Sequence, residues 1–322
     1  MHRYRAYGLS FDSDVKIPEL SGAANGDAPN APDLRVRLAS RFQVRLRPRK
    51  IVSTRTFEAG RPWLSCWRLR DGYLLRFFRI ADFRISADGR EIACIRHAAR
   101  TSLNTIRHLL LDQVFPMVLN LRGREAIHAT AVIVAGAAAA FLGPAGAGKS
   151  TLAASFMLAG CRALGDDCLA LDAGARIRAI PAYPGFRLWT DSAEALNADA
   201  SGAIPVADYT AKVRMLARQC ADGFPRRPVP LSALYRLMRV RKHRGLAPKA
   251  PLIERLKPRD AMMELVGSSF PLDIADSAML ARHFQVMQRV AREVPFSRVM
   301  VPDDFGALPS VRDAILSDLG AH

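Results

Sequence analysis

Cysteine is scarce in this sequence, and its spacing does not suit metal binding. The five cysteines stand at positions 66, 94, 161, 168 and 220, and no two of them form a Cys-x-x-Cys pair. An odd number of thiols without paired spacing argues against a disulfide framework and against a structural zinc site. Reduced thiols are typical of the cytosol, so we expect a cytoplasmic protein.

A long hydrophobic run is also lacking. The longest apolar stretch, Ala129 to Gly143, is interrupted by Gly136, and it is shorter than the roughly 20 residues that a transmembrane helix needs. The first nine residues contain no apolar run of signal-peptide length. The sequence therefore predicts neither a membrane span nor a secretion signal, and we expect no membrane partner.

Acidic residues are few in comparison with basic ones. The chain has 47 Lys and Arg against 30 Asp and Glu, a net charge of +17. Nucleic acid, a membrane surface, nucleotide phosphates or an acidic peptide would complement this charge, and a basic composition without functional meaning is an equal alternative. The densest basic clusters, at 45–50 and 239–244, lack interleaved aromatic residues that stack bases. No nucleic-acid-binding motif is present, so nucleic acid is the less favoured partner.

Half of the residues are hydrophobic, which is enough for a globular core in one or two domains. The first hundred residues show strand-like patterns, as at 74–80, 83–85 and 91–95. Residues 101–121 carry apolar side chains at helical spacing, with Thr101 or Ser102 as the candidate N-cap and Pro116 as a candidate kink. We expect a β-rich N-terminal domain at 1–121, with a role in substrate or peptide recognition, and a second domain at 122–322.

The pattern changes after residue 122. Short β-type runs at 127–134 and 138–142 precede a helix at 152–158. Further strands are expected at 168–171, 176–180, 233–240 and 297–301, and further helices at 190–196, 259–266, 275–294 and 309–319. This alternation of strands and helices predicts an α/β fold.

A glycine-rich loop stands between a predicted strand and a predicted helix. Its sequence, Gly143-Pro-Ala-Gly-Ala-Gly-Lys-Ser150, matches G-x-x-x-x-G-K-[ST] at every fixed position. Glycines let successive backbone N–H groups point at an anion, and the helix N-terminus adds unpaired donors. We expect ATP and Mg²⁺ here, with Lys149 at the β and γ phosphates and Ser150 at the metal. The predicted binding residues are Gly143, Pro144, Ala145, Gly146, Ala147, Gly148, Lys149, Ser150 and Thr151.

The loop alone does not separate kinases, ATPases and GTPases. The Asn-Lys-x-Asp base reader of GTPases is missing from the sequence. A motor or transporter ATPase would have a long apolar strand that ends in Asp, and 168–172 is a short version of one. Asp172 is therefore a rival candidate for a metal ligand.

An acidic pair, Asp166 and Asp167, follows the predicted helix. We expect it at the start of a strand, where extended backbone turns adjacent side chains to opposite sides. One carboxylate would hold Mg²⁺ while the other accepts a proton from a hydroxyl nucleophile; an exposed acidic turn is the alternative. His128 precedes the two strands that lead to the loop. It is equally a structural residue or a group that contacts phosphate or assists proton transfer.

Together, Ile127-His128-Ala129, the strand pair, Gly143–Ser150 and Gly165-Asp166-Asp167 resemble the C-terminal catalytic domain of HPr kinase/phosphorylase. That family is a group of serine kinases whose nucleotide fold is related to that of phosphoenolpyruvate carboxykinase. The resemblance covers about residues 124–188 and is weaker over the rest. It implies a P-loop kinase domain that phosphorylates serine with ATP. By the same resemblance Asp166 is the base, Asp167 lies on the metal side with Ser150, and His128 assists.

The sequence departs from the family in two places. The family has a Glu-x-x-Gly stretch whose Glu helps to hold the metal, but the similar place here reads Ala182-Tyr-Pro-Gly185. This difference puts the metal shell, and with it a reverse phosphorylase activity, in doubt. The N-terminal region does not look like the family's own N-terminal domain.

The whole layout is more similar to a divergent branch, the HPr-kinase-like proteins encoded with lasso peptide biosynthesis enzymes. The similarity lies in residues 4–9, Pro18-Glu-Leu20, 183–189 and 311–315. It implies that the acceptor is the C-terminal serine of a lasso peptide precursor. Two alternatives stay open: a kinase of a folded carrier protein such as HPr, and a nucleotide-gated peptide-binding module without phosphotransfer.

Basic residues downstream of the acidic pair complete the candidate site. Arg187, Lys212 and Arg214 fall where a clamp for substrate or phosphate is expected, and Arg187 and Lys212 are the first choices. Cations stabilise the charge that develops on a transferring phosphoryl group. A solvated surface position is the alternative for each of them. The expected partner is a peptide or protein with an acceptor serine, and a homo-oligomer stays open.

Overall fold

The computed structural model of the chain describes residues 1–20, 31–40, 50–56, 62–196, 204–215, 224–240 and 251–320. Cys220 and most of the two basic clusters at 45–50 and 239–244 lie outside this part of the chain. The fold is mixed α/β, with several sheets and helices. No helix in the described residues combines the length and the apolar character that a membrane crossing requires.

The chain divides into two compact units. The first comprises residues 1–126 together with 206–210 and 270–284, and the second comprises 127–205, 211–269 and 285–322. The main break therefore falls slightly beyond the boundary that the sequence predicts at Leu121. Residues 206–210 and 270–284, which the sequence predicts to lie in the second domain, are also grouped with the first unit.

The first unit is built on an eight-stranded sheet. Its strands are β1 (His2–Ala6), β2 (Leu9–Ser13), β3 (Leu34–Leu38), β4 (Lys50–Thr56), β5 (Pro62–Arg68), β6 (Gly72–Phe77), β7 (Ala81–Ser86) and β8 (Glu91–Arg96). They lie in the order β1–β2–β3–β8–β7–β6–β5–β4. Neighbours are antiparallel except at β2–β3 and β3–β8. The strand-like runs at 83–85 and 91–95 fall within β7 and β8. The run at 74–80 matches β6 only as far as Phe77, because residues 78–80 form the turn that follows.

A continuous helical segment follows the sheet, as the spacing at 101–121 predicts. It consists of α1 (Leu103–Leu109), a π-helical turn (Leu110–Val114) and α2 (Phe115–Leu121). Ser102 is the N-cap, because its hydroxyl accepts a hydrogen bond from the backbone N–H of Thr105. The irregularity expected at Pro116 takes the form of the π-helical turn. Proline has no N–H and crowds the preceding turn, so the helix widens just before it.

The remaining strands are β9 (Glu125–Ile127), at which the two units divide, β10 (Thr130–Val134), β11 (Ala137–Leu142), β12 (Arg162–Gly165), β13 (Leu169–Ala173), β14 (Ile177–Ile180), β15 (Phe186–Leu188), β16 (Ile204–Ala207), β17 (Thr210–Met215), β18 (Val229–Val240), β19 (Leu252–Arg255) and β20 (Phe296–Pro302). The main sheet of the second unit has the order β12–β10–β11–β18–β14–β13, and β20 pairs with β18 and β19. Strands β11, β18 and β20 are parallel, so their carboxyl ends meet at one edge of the sheet.

Helices cover both faces of this sheet. They are α3 (Lys149–Leu158), α4 (Thr190–Ala195), α5 (Pro258–Gly267), α6 (Ser277–Glu293) and α7 (Leu308–Asp318); the short 3-10 helices are Pro18–Leu20 and Phe305–Ala307. Side chains of β11 alternate between the faces. Ala140 and Leu142 belong to a core with residues of α5 and the C-terminal half of α6, and Phe141 belongs to a core with residues of α3 and α7.

Short strands account for most of what the sequence pattern missed in the second unit. β12, β15 and β19 have four residues or fewer, which is too short for a clear alternation of polar and apolar side chains. The pairing of β15 with β17 matters for the site, because it sets Arg187 opposite Arg214.

Candidate functional site

The glycine-rich loop joins β11 to α3 at the carboxyl edge of the main sheet. Gly143 is required by close packing, because a Cβ at this residue would lie 3.0 Å from the carbonyl oxygen of Leu237 in β18. Gly148, the N-cap of α3, has a left-handed φ of 91°. Having no side chain, it leaves the first N–H groups of the helix accessible to an anion. The loop thus combines a close approach of two backbones at Gly143 with a helix N-terminus that no side chain caps.

The Lys149 side chain lies back across this loop. Its ammonium donates to the carbonyl oxygens of Gly143, at 2.8 Å, and of Pro144, at 3.2 Å. Burial lowers the pKa of Lys149, and the carboxylates of Asp167 and Asp166 oppose this effect. The ammonium is therefore held inside the loop by neutral oxygens, which a more strongly negative phosphate oxygen could replace.

The acidic pair occupies a tight turn between β12 and β13. We expected the start of a strand, and this expectation is wrong. The backbone N–H of Cys168 donates to the carbonyl of Asp166 at 2.7 Å, and Asp167, between them, has a φ of 60°. Such three-residue turns are uncommon and strained, and strained backbone is concentrated at functional sites. The two carboxylates differ in environment because of this turn.

Asp166 is completely buried and surrounded by donors. Its Oδ1 accepts hydrogen bonds from the hydroxyls of Thr130, at 2.6 Å, and Ser150, at 2.8 Å, and its Oδ2 accepts one from the backbone N–H of Arg187, at 2.8 Å. Burial and then the neighbouring charge of Asp167 raise the pKa of Asp166. The family resemblance places Ser150 on the metal side with Asp167, whereas the hydroxyl of Ser150 contacts Asp166.

Asp167 lies among cations. Burial, the largest single influence, would raise the pKa of Asp167, but the charges of His128, Lys212, Arg187 and Lys149 together hold it well below its usual range. The imidazole Nδ1 of His128 is 2.8 Å from the backbone carbonyl oxygen of Asp167, and its Nε2 is 3.9 Å from Oδ1. Asp167 is thus the more acidic member of the pair, and 13% of its side-chain surface is exposed.

Arg187 is buried and stabilises the acidic turn through its contacts with Tyr183. Its guanidinium carbon lies 4.7 Å from the centre of the Tyr183 ring, and Nη1 donates to the Tyr183 hydroxyl. That hydroxyl in turn donates to the backbone carbonyl of Asp166 at 2.6 Å. Arg187 is 2% exposed, which contradicts the alternative of a solvated surface charge.

Lys212 lies at the more open side of the site. Its ammonium is 5.7 Å from the centre of the Trp189 ring, and 43% of the surface of Trp189 is exposed. Lys212 also lowers the pKa of Asp167, so its charge acts on the acidic pair. Arg214 is buried and lies opposite Arg187 in the β15–β17 pair.

The structure thus brings together the loop, both acids, His128, Arg187 and Lys212. Sequence reasoning missed Thr130, for which the sequence contains no signal. It also gave no role to Tyr183, although the 183–189 stretch was recognised. Asp172, the rival metal ligand, pairs instead with Arg178 across the β13–β14 hairpin.

The residues present fit a magnesium nucleotide better than a metal held by protein alone. In the part of the chain that is described, no group of three or more His, Cys, Asp or Glu side chains could hold a metal ion. Mg²⁺ commonly binds through one or two carboxylates together with substrate phosphates. The oxygens of Ser150, Asp166 and Asp167 beside the loop would serve this way.

The place of the family's metal-side Glu is occupied by a packed alanine. Ala182 is 2% exposed. A Cβ added at Gly165, directly before the acidic pair, would lie 2.8 Å from the Cβ of Ala182. Ala182 therefore packs closely against the residue that precedes the acidic pair.

No protein-family model matches the sequence, and no curated protein matches it. Among solved structures, the chain is similar to the Hpr(Ser) kinase/phosphatase from Coxiella burnetii, with 12% sequence identity over 60% of this chain and 97% of that chain and a TM-score of 0.31. A match at this level does not show a shared family.

Proposed function

We propose that this protein is an ATP-dependent kinase that transfers the γ-phosphoryl group to a serine hydroxyl of a peptide or protein. The contact between the Ser150 hydroxyl and Oδ1 of Asp166 carries the proposal. It joins a loop suited to phosphate to an acidic pair whose first member is buried, which is the arrangement that a magnesium nucleotide requires. The α/β fold, with the loop at the carboxyl edge of parallel strands, is a common setting for nucleotide sites.

Binding and positioning do most of the work in this proposal. The backbone N–H groups of the loop and the ammonium of Lys149 would hold the phosphates. Mg²⁺, bound with the nucleotide, would neutralise charge on the β and γ oxygens. The serine oxygen would form a bond to the γ-phosphorus as the bond to the bridging oxygen breaks, ADP would leave, and the serine proton would pass to a carboxylate of the pair.

The geometry favours a particular division of roles between the two acids. The hydrogen bonds that Asp166 accepts come from protein groups, among them the hydroxyl of Ser150, which is the expected metal ligand. Asp166 is therefore suited to the metal side of the site. Asp167 is more exposed and lies close to His128, so it is suited to accept the serine proton. This assignment is the reverse of the one that the family resemblance implies. The raised pKa of Asp166 would suit a base, but its oxygens are already engaged by Thr130, Ser150 and Arg187.

The acceptor that we propose is the C-terminal serine of a lasso peptide precursor. Support comes from the 183–189 stretch, which carries the similarity to that branch and also supplies Tyr183, Arg187 and Trp189 to the site. Trp189 and Lys212 offer an exposed aromatic ring and a cation beside the acids. Such a surface suits a peptide end, because the cation can meet its carboxylate. A folded carrier protein such as HPr is the alternative acceptor.

The test is incubation with ATP, Mg²⁺ and serine peptides, read by mass spectrometry. A gain of about 80 Da on a precursor peptide, the mass of one phosphoryl group, is the expected result. Lys149→Ala should abolish the gain. A variant of the peptide with alanine in place of its last serine serves as the matched control, and phosphorylation of this control would exclude the C-terminal serine as the acceptor.

A second candidate function is a nucleotide-gated peptide-binding module. The observation that favours it is the buried Ala182, which replaces the acid that the family uses at the metal. In that case ATP would bind and stabilise the protein, but no peptide or protein would gain mass. Binding that depends on Lys149, without product over a panel of serine peptides and carrier proteins, would support this function.

A further inference from the structure

A basic groove lies on the first unit, where the β6–β7 hairpin turns beside the end of β8. Its volume is about 670 Å³, and it is lined by Arg76, Phe78, Arg79, Asp82, His97, Ala98 and Arg100. Three arginines against one aspartate leave two positive charges, without counting the histidine. All of these residues belong to the first unit, and none of them has a part in the proposed phosphotransfer.

The carboxylate in the groove is already satisfied. The guanidinium of Arg76 makes two hydrogen bonds to Asp82, at 2.9 and 2.8 Å, across the β6–β7 pair. His97 Nε2 lies 2.9 Å from Oδ1 of the same carboxylate. These contacts with Asp82 hold the side chains of Arg76 and His97 in position in the groove.

The other two arginines are not engaged in this way. In the described part of the chain, neither Arg79 nor Arg100 forms an ion pair, and both are exposed. Arg79 has a φ of 60° at the third position of the Phe77–Ile80 turn, where glycine or asparagine is preferred. Its guanidinium carbon lies 5.4 Å from the centre of the Phe78 ring, which is itself 50% exposed. Because position 79 is an arginine and not the favoured glycine, a cation lies at the rim of the groove.

We propose that this groove binds an acidic peptide segment, with carboxylate side chains at Arg79 and Arg100. Guanidinium groups recognise carboxylates through paired hydrogen bonds. An acidic segment can place a carboxylate at each of the two cations, whereas a C-terminal carboxylate supplies only one. Phe78 gives apolar contact for side chains between them. One aromatic ring, with Arg79 against it, is a poor platform for stacking nucleic-acid bases.

The test uses the full-length protein without ATP, so its outcome is independent of the proposed kinase activity. The probe is a fluorescein-labelled, C-terminally amidated peptide in which glutamate alternates with neutral residues, and binding is read by fluorescence anisotropy. The matched peptide has glutamine at each glutamate position. We expect the glutamate peptide to bind and the glutamine peptide to fail, with affinity that falls as salt is added.

Three variants locate the binding. Arg79→Glu combined with Arg100→Glu should weaken binding at least about tenfold, because it reverses both cations. Arg79→Gly should weaken binding while it keeps or improves stability, since glycine suits the left-handed backbone. The control is Arg70→Glu in the exposed turn before β6, at the opposite end of that strand. It should leave the affinity unchanged.

Several results would overturn the proposal. Equal losses in Arg70→Glu and in the double variant would mean that only the overall charge matters. Unchanged affinity in Arg79→Gly and in the double variant would place binding elsewhere. Tighter binding of a labelled oligothymidylate of the same length would point to nucleic acid, and binding only of peptides with a free C-terminus would point to a terminal carboxylate.

Discussion

The hydroxyl of Ser150 lies 2.8 Å from Oδ1 of Asp166, and through this contact two distant motifs form one site. Thr130, on the neighbouring strand β10, donates to the same oxygen at 2.6 Å. The buried carboxylate is thus positioned by the loop and by the sheet together. A change at Asp166 should consequently affect how the loop handles the nucleotide, and a change at Asp167 should not have the same effect.

We expect Asp166→Asn and Asp167→Asn to impair phosphorylation in different ways. Asp166→Asn should raise the Mg²⁺ concentration needed for half-maximal phosphorylation, because the oxygen beside Ser150 would lose its charge. Asp167→Asn should lower kcat by about 100-fold or more at saturating Mg²⁺, as the loss of a general base does. The measurement is a Mg²⁺ titration of initial rates at fixed ATP and peptide. The reverse pattern would restore Asp166 as the base.

Tyr183 is expected to position the acidic turn through its hydroxyl. Tyr183→Phe removes the group that donates to the Asp166 carbonyl and accepts from Arg187. Because a buried guanidinium loses a partner, the free energy of unfolding should fall by about 1–3 kcal/mol. The phosphorylation rate should fall as well. Urea unfolding and initial rates measure the two effects.

Tyr235→Phe is the matched control for that variant. Its hydroxyl donates to the surface residue Asp318 at 2.7 Å, so this change also removes the hydrogen bond of a buried tyrosine. It should cost stability without lowering kcat, since Asp318 is not part of the site. If both variants lost activity in proportion to stability, Tyr183 would have no special role in positioning.

The sequence predicted those parts of the fold and of the site that depend on local chemistry. Gly148, Lys149 and Ser150 could be recognised because the motif requires these residue types in a fixed order. The helix at 101–121 could be recognised from its apolar spacing. Thr130 could not, because its role depends on the pairing of β10 with β11 and β12, and many strands contain a threonine.

The division of roles between the two acids could not be predicted from the sequence, for a different reason. Extended backbone was expected at Asp166 and Asp167, but the φ of Asp167 is 60°. Glycine and aspartate are both common in turns, but the order Gly165-Asp166-Asp167 does not reveal which residue takes the left-handed backbone. The 270–284 segment likewise joins the first unit through tertiary contacts alone, among them the ion pair of Asp273 with Arg68.

Gly165 is expected to tolerate no side chain. Its added Cβ would approach Ala182 to 2.8 Å, so Gly165→Ala should cost about 1–3 kcal/mol through overpacking. The strain would fall directly before Asp166, and the rate should fall with it. Gly267→Ala, at the end of α5, is the control, because a Cβ there meets nothing within 4 Å. Thermal unfolding of both variants makes the comparison; equal melting temperatures would contradict the packing argument.

The burial of Tyr73 is expected to make the free energy of unfolding fall at alkaline pH. Burial, and then the charge of Asp273, raise the pKa of Tyr73 to about 12 from its ordinary 10.0. The folded protein therefore keeps this phenol protonated where the unfolded chain would ionise it. The stabilisation is fully present below pH 10 and is lost as pH rises towards 12, because unfolding then releases a proton. Urea unfolding between pH 9 and 12 should show a shallower loss of stability in Tyr73→Phe than in the wild type. Parallel curves for the two proteins would mean that Tyr73 ionises normally in the folded state.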